Sequence, residues 1–115
     1  MTITRLDPGP RLAKAVTHGE TIYLMGHVAN EGDADIKTQT RQVLANIEKT
    51  LGAVGSDKSK LLTVTIYLAS IGDFAAMNEV WDGWVDKANA PARTTVEARL
   101  ARANLKVEMT AIAAK

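Results

Sequence analysis

The alternation of apolar and polar residues along the chain predicts several β-strands. A period of two residues, with β-branched side chains, is typical of strands. It occurs in five segments: Lys14 to Thr17, Thr21 to Val28, Leu61 to Ala69, Arg93 to Leu100 and Leu105 to Ala113. The first two segments are separated by the loop His18-Gly19-Glu20, so we expect them to form a hairpin.

Apolar residues recur with a helical spacing in two other places. The first stripe consists of Ile36, Val43, Leu44, Ile47 and Leu51. Gly52 and Gly55 are expected to end this helix. The second helix starts near Ser70 to Asp73, where either residue can cap it, and its apolar face carries Phe74, Met77, Val80, Trp81, Trp84 and Val85. Trp81 and Trp84 are therefore expected to pack in the core.

The predicted order is β-β-α-β-α-β-β, which corresponds to an α+β fold with a mixed sheet of about six strands. Two helices can cover only one face of such a sheet. The other face includes Tyr23, Met25 and Tyr67 among threonines and charged residues, so it is too apolar to remain in water. We therefore expect residues 1–115 to form one domain that associates with further copies of itself.

Composition and charge exclude several classes of function. The chain has no cysteine, which excludes disulfides, thiolate nucleophiles and Cys-ligated metals. Its formal net charge of +1 provides no basic field, so neither nucleic acid nor a membrane surface is expected as a partner. No apolar stretch reaches the ~20 residues of a membrane helix, and the expected location is the cytoplasm.

Most catalytic signatures are missing as well. The chain has no nucleophile elbow, no glycine-rich dinucleotide or phosphate loop, and no zinc-protease motif. Its two histidines, His18 and His27, have no partner at metal-ligand spacing, so neither a metal nor a cofactor is expected. The simplest interpretation of both histidines is a surface or interface position.

Arg93 and Glu108 are the residues that best suit a small carboxylate ligand. Arg93 begins a predicted strand, where its planar guanidinium can donate two hydrogen bonds to one carboxylate. Thr95 lies on the same side of that strand. Glu108 projects opposite Val107 and Met109, and it can hold a water molecule beside the substrate if the last two strands are neighbours or meet across a subunit boundary. A structural ion pair between Arg93 and Glu108 at a subunit interface is the alternative.

Four stretches of the sequence carry a more specific pattern. They are Gln39 to Ile47, Thr65 to Leu68 followed by Asp73 to Asn78, Pro91 to Glu97, and Val107 to Ala113. In order and spacing they resemble the RidA/YjgF family of reactive-intermediate deaminases over nearly the whole chain. The resemblance implies a chorismate-mutase-like α+β fold, a homotrimer whose sheets form a central barrel, and ligand clefts at the subunit boundaries. It also implies hydrolysis of small 2-imino acids to 2-oxo acids and ammonia, without a cofactor.

The resemblance implies roles for individual residues. Arg93, in the Pro-Ala-Arg motif, matches the arginine that binds the substrate carboxylate, and Glu108 matches the glutamate that positions the attacking water. The same match gives the other substrate-binding positions, Gly26, Asn78, Thr95 and Leu12. Thr95 stands where many members have cysteine, and Leu12 where they have tyrosine. His27 replaces a glutamine that often follows the glycine of the second strand.

Rival functions remain open at this point. In a binding module of the same fold, Arg93 holds a 2-oxo acid as a signal without turnover. A ribonuclease is disfavoured, because the chain has no basic patch with interleaved aromatic residues and no histidine pair. A chorismate-mutase-type enzyme needs more than one cationic group around its dicarboxylate, whereas only Arg93 is placed for that role.

Overall fold

The computed structural model describes residues 1–115 and contains seven strands and two α-helices. The strands are β1 (Ile3–Leu6), β2 (Ala15–His18), β3 (Thr21–Leu24), β4 (His27–Val28), β5 (Leu61–Leu68), β6 (Ala92–Glu97) and β7 (Val107–Ala114). The helices are α1 (Ile36–Ala53) and α2 (Phe74–Trp84). This architecture confirms the α+β fold class and both helices.

All strands belong to one mixed sheet with the order β1-β2-β3-β7-β5-β6, and β4 pairs with β7 next to β3. Every pairing is antiparallel except that of β5 with β6. A parallel pair needs a long crossover connection, and α2 provides it. β6 pairs with β5 alone, so it forms one edge of the sheet.

The two faces of the sheet have different surroundings. Along β5 and β7, every second residue is buried beneath the helices, and these residues join α1 and α2 in one cluster of 18 buried apolar residues. The opposite face carries threonines and aromatic or aliphatic side chains, of which Tyr23 and Val96 are exposed. The prediction that helices cover only one face of the sheet is therefore confirmed.

Helix α1 begins at a side-chain cap, because Asp35 accepts a hydrogen bond from the backbone N–H of Thr38 at 2.8 Å. Gly55, just beyond its end, has a φ of +79° that favours glycine. The prediction that Ser70 or Asp73 caps α2 is wrong, since neither side chain makes a capping hydrogen bond. Neither helix has the length and apolar composition of a membrane span.

Gln39 ties α1 to the loops on either side of it. Its buried amide nitrogen lies 2.7, 3.0 and 3.0 Å from the carbonyl oxygens of Gly32, Ala34 and Asn104, which share its two N–H donors. Its amide oxygen accepts from the backbone N–H of Lys106 at 2.9 Å. Because Lys106 directly precedes β7, this one side chain fixes where that strand starts.

Three strands differ from the prediction. β1 was not predicted, because its side chains are mostly exposed and show no burial pattern. The predicted strand from Thr21 to Val28 is interrupted at Met25 and Gly26, which separate β3 from β4. β6 ends at Glu97, three residues earlier than predicted, and a loop follows it.

Trp81 is one of the two residues of α2 that are buried in the core, together with Met77. Its side chain is only 6% exposed and packs in the buried cluster, which confirms the predicted core position. Trp84 lies at the margin of the cluster, where its indole N–H donates to Glu48. Phe74 belongs to the same helix but is 41% exposed, so it lies outside the core.

We expect Trp81→Ala to lower the free energy of unfolding by ~3–5 kcal/mol, because it removes a large buried side chain and leaves a cavity. Trp84→Ala is the matched control, and its loss should be smaller because Trp84 is only partly buried. Chemical denaturation followed by circular dichroism measures both values. An unchanged stability of Trp81→Ala would contradict the core assignment.

Candidate functional site

Arg93 lies at the start of β6, on the face of the sheet that α2 covers. In the parallel register it is level with Val64, a buried residue of β5, so both side chains point to the helices. The guanidinium carbon lies 5.1 Å from the ring centre of Trp81 and 5.8 Å from that of Phe74. Both distances allow cation–π attraction, which holds the guanidinium without using its hydrogen-bond donors.

The guanidinium of Arg93 has no anionic partner within the chain. Both ion pairs of the structure lie elsewhere. Partial burial lowers the pKa of Arg93 from its ordinary value, and the nearby carboxylate of Asp82 opposes this shift. The group stays protonated, because arginine does not lose its proton in proteins. A charged, partly desolvated fork of donors is thus present without an ion pair inside the chain.

Two unpaired polar atoms occur beside Arg93. The Oδ1 atom of Asn78 and the Oγ1 atom of Thr95 are buried and have no hydrogen-bond partner. Asn78 lies on the stripe of α2 that also carries Phe74 and Trp81. Thr95 follows Arg93 on the same side of β6. Buried polar atoms are usually paired, so these two are available to accept a hydrogen bond from a ligand or from water.

Glu108 projects from β7 on the face that the helices leave open. It is level with Tyr67 of β5, whereas its neighbours Val107 and Met109 are buried on the other face. Its carboxylate lies directly over Gly26. A Cβ atom placed on Gly26 would overlap Oε2 of Glu108 and lie 3.0 Å from its Cδ. Position 26 therefore has to be glycine while Glu108 keeps this conformation.

Gly26 lies in the break between β3 and β4. The backbone N–H of Met25 donates to the carbonyl of Lys14 at 3.0 Å, which extends the pairing of β2 with β3 up to this break. Leu12 lies just before Lys14, in the loop between β1 and β2, and its side chain is 56% exposed. The loop that carries Leu12 thus adjoins the break that carries Gly26.

The predicted site residues therefore form two groups in one chain. The arginine group consists of Arg93, Thr95 and Asn78, and the glutamate group consists of Glu108, Gly26 and Leu12. The idea that the last two strands are neighbours is wrong, because β5 lies between β6 and β7. Two strand spacings, about 10 Å, together with the opposite directions of the side chains, separate Arg93 from Glu108. They form no ion pair within the chain, and one small molecule cannot contact both.

Sequence reasoning missed several contacts of these groups. It assigned Trp81 to the core alone, although the ring also contacts Arg93. It also placed His27 on a surface or interface, which is wrong because His27 is only 4% exposed beneath α1. His18 is exposed, as that interpretation expects. The position of His27 directly after Gly26 was the only signal in the sequence that linked it to the glutamate group.

One surface depression lies between the helices, and another lies beside Gly26. A groove of 510 Å³ between α1 and α2 is lined by Arg41, Glu48 and Trp84 among others, and it includes neither group. A depression of 300 Å³ adjoins Gly26, and its lining includes Lys14, His27, Lys49 and Thr50. No set of three or more His, Cys, Asp or Glu residues is arranged to hold a metal ion.

Comparison with known proteins assigns the chain to a family. A family model described as Endoribonuclease L-PSP matches residues 2–115. The RutC family protein YoaB of Escherichia coli is 46% identical over 114 residues, which cover 99% of each chain. The crystal structure of NMB1025, a YjgF family member from Neisseria meningitidis, matches with a TM-score of 0.96 at 43% identity, over 100% of this chain and 96% of that one. A Pseudomonas aeruginosa protein matches equally well, with a TM-score of 0.96 at 41% identity over 99% of both chains. The chain therefore belongs to the Endoribonuclease L-PSP family, the family of the RutC and YjgF proteins, which confirms the resemblance to RidA/YjgF.

Proposed function

We propose that this protein hydrolyses 2-imino acids to 2-oxo acids and ammonia, in a site formed by two copies of the chain. The observation that carries the proposal is the arginine group. Its cation is held by two aromatic rings, has no anionic partner and lies beside two buried polar atoms without partners. A 2-imino acid suits this group, since its carboxylate accepts from the guanidinium and its N–H group can donate to Asn78 or Thr95.

The proposed reaction needs orientation and a water molecule rather than a covalent nucleophile. The carbon of the C=N bond is already electrophilic. Glu108 accepts a proton from water as the water oxygen bonds to that carbon, and the imine nitrogen takes up the proton. The carbinolamine then loses ammonia: its C–N bond breaks, its hydroxyl proton passes to nitrogen, and the 2-oxo acid forms. Glu108 ends in its starting state, and no thiol or triad is required.

The two groups have to come from different copies, because one chain holds them on opposite faces of its sheet. The open face offers a surface for association, since Tyr23 and Val96 are exposed there. A homotrimer, which the family resemblance implies, covers this face of every copy. It also allows β6 at the edge of one sheet to approach the Gly26 break of a neighbouring copy.

A carboxylate-binding module without turnover is the second candidate. Thr95 and Leu12 differ from the cysteine and tyrosine common in the family, and Leu12 is exposed. A site lined by these two residues can bind a 2-oxo acid through Arg93 and still fail to hold the attacking water.

The ribonuclease activity that the family name describes is less compatible with this chain. His27 is buried, and both its ring nitrogens are hydrogen-bonded, to Met25 and Thr50. It therefore cannot act as a general base on RNA, which leaves His18 without a histidine partner. The net charge of +1 gives no attraction to a phosphate backbone.

We expect the protein to be a homotrimer in solution, because the open face of its sheet has to be covered and the two groups have to meet. Light scattering coupled to size exclusion at micromolar protein measures the mass. A monomer mass, one chain of 12.4 kDa, would remove the shared site from the proposal.

We expect Arg93→Ala to weaken 2-oxobutyrate binding by ~2–4 kcal/mol, about thirty- to a thousand-fold, and to abolish turnover of freshly generated 2-iminopropanoate. Arg93→Lys should restore binding only in part, because an ammonium group lacks the planar fork. Calorimetry measures the affinities. Arg41→Ala, which removes an exposed arginine of α1, is the matched control. Binding and turnover at the parent level in Arg93→Ala would place the site elsewhere.

We expect Glu108→Gln to keep the 2-oxobutyrate affinity within about twofold and to lower kcat by about 10²–10⁴, the usual contribution of a general base. Glu20→Gln, at an exposed turn, is the control and should leave both quantities unchanged. Rates of imine hydrolysis on folded, trimeric variants decide the outcome. Normal binding in Arg93→Ala combined with lost binding in Glu108→Gln would reverse the two roles. A parent that binds 2-oxobutyrate without turnover would support the binding module.

A further inference from the structure

His27 is a buried titratable group next to the glutamate group, and the proposed reaction does not use it. Its Nδ1 atom lies 2.7 Å from the carbonyl oxygen of Met25, and its Nε2 atom lies 2.8 Å from Oγ1 of Thr50 in α1. A carbonyl oxygen can only accept, so Nδ1 carries the proton and donates it. In the neutral ring, Nε2 therefore accepts from the hydroxyl of Thr50. The ring thus bridges the Met25–Gly26 turn to helix α1.

We propose that His27 is a positioning residue for Glu108: its neutral ring fixes the Met25–Gly26 turn against α1, and this turn sets the place of the Glu108 carboxylate. The carboxylate lies against Gly26, where a Cβ would overlap it. In the sheet, His27 and Val28 are paired with Met109 and Glu108. A shift of the turn therefore moves the backbone on which the carboxylate rests. The catalytic consequence rests on the proposed function, whereas the coupling of His27 to Gly26 does not.

The charges around His27 favour its neutral form. Lys14 and Lys49 line the same depression, and Glu108 lies beyond Gly26 on the other side of the turn. Burial lowers the pKa of His27, the hydrogen bond to Met25 opposes this shift, and Lys14 adds to it. Protonation leaves the hydrogen bonds possible, since Oγ1 of Thr50 can accept from a protonated Nε2. What it adds is a buried positive charge close to Lys14, which is unfavourable.

The direction of the pH dependence follows from the lowered pKa. The stabilisation that the neutral ring gives to the turn is fully present above the ordinary histidine pKa of 6.5 and is lost as the pH falls from there through the lowered pKa of the folded protein. Imine hydrolysis by the parent should therefore show, over this pH range, an acid limb to which His27 contributes. The limb should appear in kcat, because His27 acts on Glu108 and not on the carboxylate-binding Arg93.

The test compares three variants of the full-length protein from about pH 8 to about pH 5. His27→Gln keeps one donor and one acceptor but cannot be charged, so it should lose the part of the acid limb that His27 contributes and lower kcat at the upper pH by about threefold. His18→Gln, the matched control at the exposed histidine, should keep the parent profile. Thr50→Val replaces the hydroxyl that contacts Nε2 with a methyl group. It should lower kcat by about fivefold, which corresponds to the loss of one net hydrogen bond, and leave the 2-oxobutyrate affinity unchanged.

The amide signal of Gly26 in nuclear magnetic resonance provides a readout that does not need activity. It should titrate together with the ring signals of His27 in the parent and stay constant in His27→Gln, even in a protein that does not hydrolyse imines. The inference is overturned if the acid limb is the same in His27→Gln as in the parent, or if the Gly26 signal is constant in the parent while His27 titrates. If His27→Gln does not fold, a Thr50→Val variant with parental kcat overturns it equally.

Discussion

The two-residue period of the β-strands is the constraint on which both the core and the candidate site depend. It directs alternate side chains of β5 and β7 into the cluster beneath the helices and leaves the others on the open face. The same alternation sends Arg93 to the helix side and Glu108 to the open side. One chain can therefore be fully folded and still keep the two halves of the proposed site apart.

Trp81 connects the stability of the fold with the chemistry of the arginine group. One part of its side chain belongs to the buried cluster, and its ring also contacts the guanidinium of Arg93. A cation held on an aromatic surface keeps its donors available, whereas a carboxylate partner would occupy them. The core thus supplies a rigid support for the guanidinium of Arg93, and no separate element is required for it.

The sequence was sufficient to predict those helices and strands whose pattern of apolar and polar residues reflects burial on one side. α1, β5 and β7 were predictable because each has one buried side and one exposed side. β1 was not, since it is held by backbone pairing with β2 and its side chains are mostly exposed. The position of β5 between β6 and β7 also escaped prediction, because pairing between distant segments leaves no local pattern.

The candidate site was predictable in its residues but not in its arrangement. Arg93 and Glu108 were proposed as site residues because their side chains suit a small carboxylate ligand and because they lie in motifs that match the family. Their separation follows only from the strand order and register. The break at Gly26 and the burial of His27 depend on contacts with β7 and α1, which are far away in the sequence.

The contact of Gly26 with Glu108 restricts how the two positions can change over evolutionary time. A side chain at position 26 needs the volume that the Glu108 carboxylate now fills. A replacement of the glycine is thus compatible with this backbone only after position 108 has become shorter or has turned away, and shortening it removes the carboxylate. Descendants that keep the glutamate pointing at position 26 have to keep the glycine, whereas a glutamate that has turned away leaves position 26 open to larger residues.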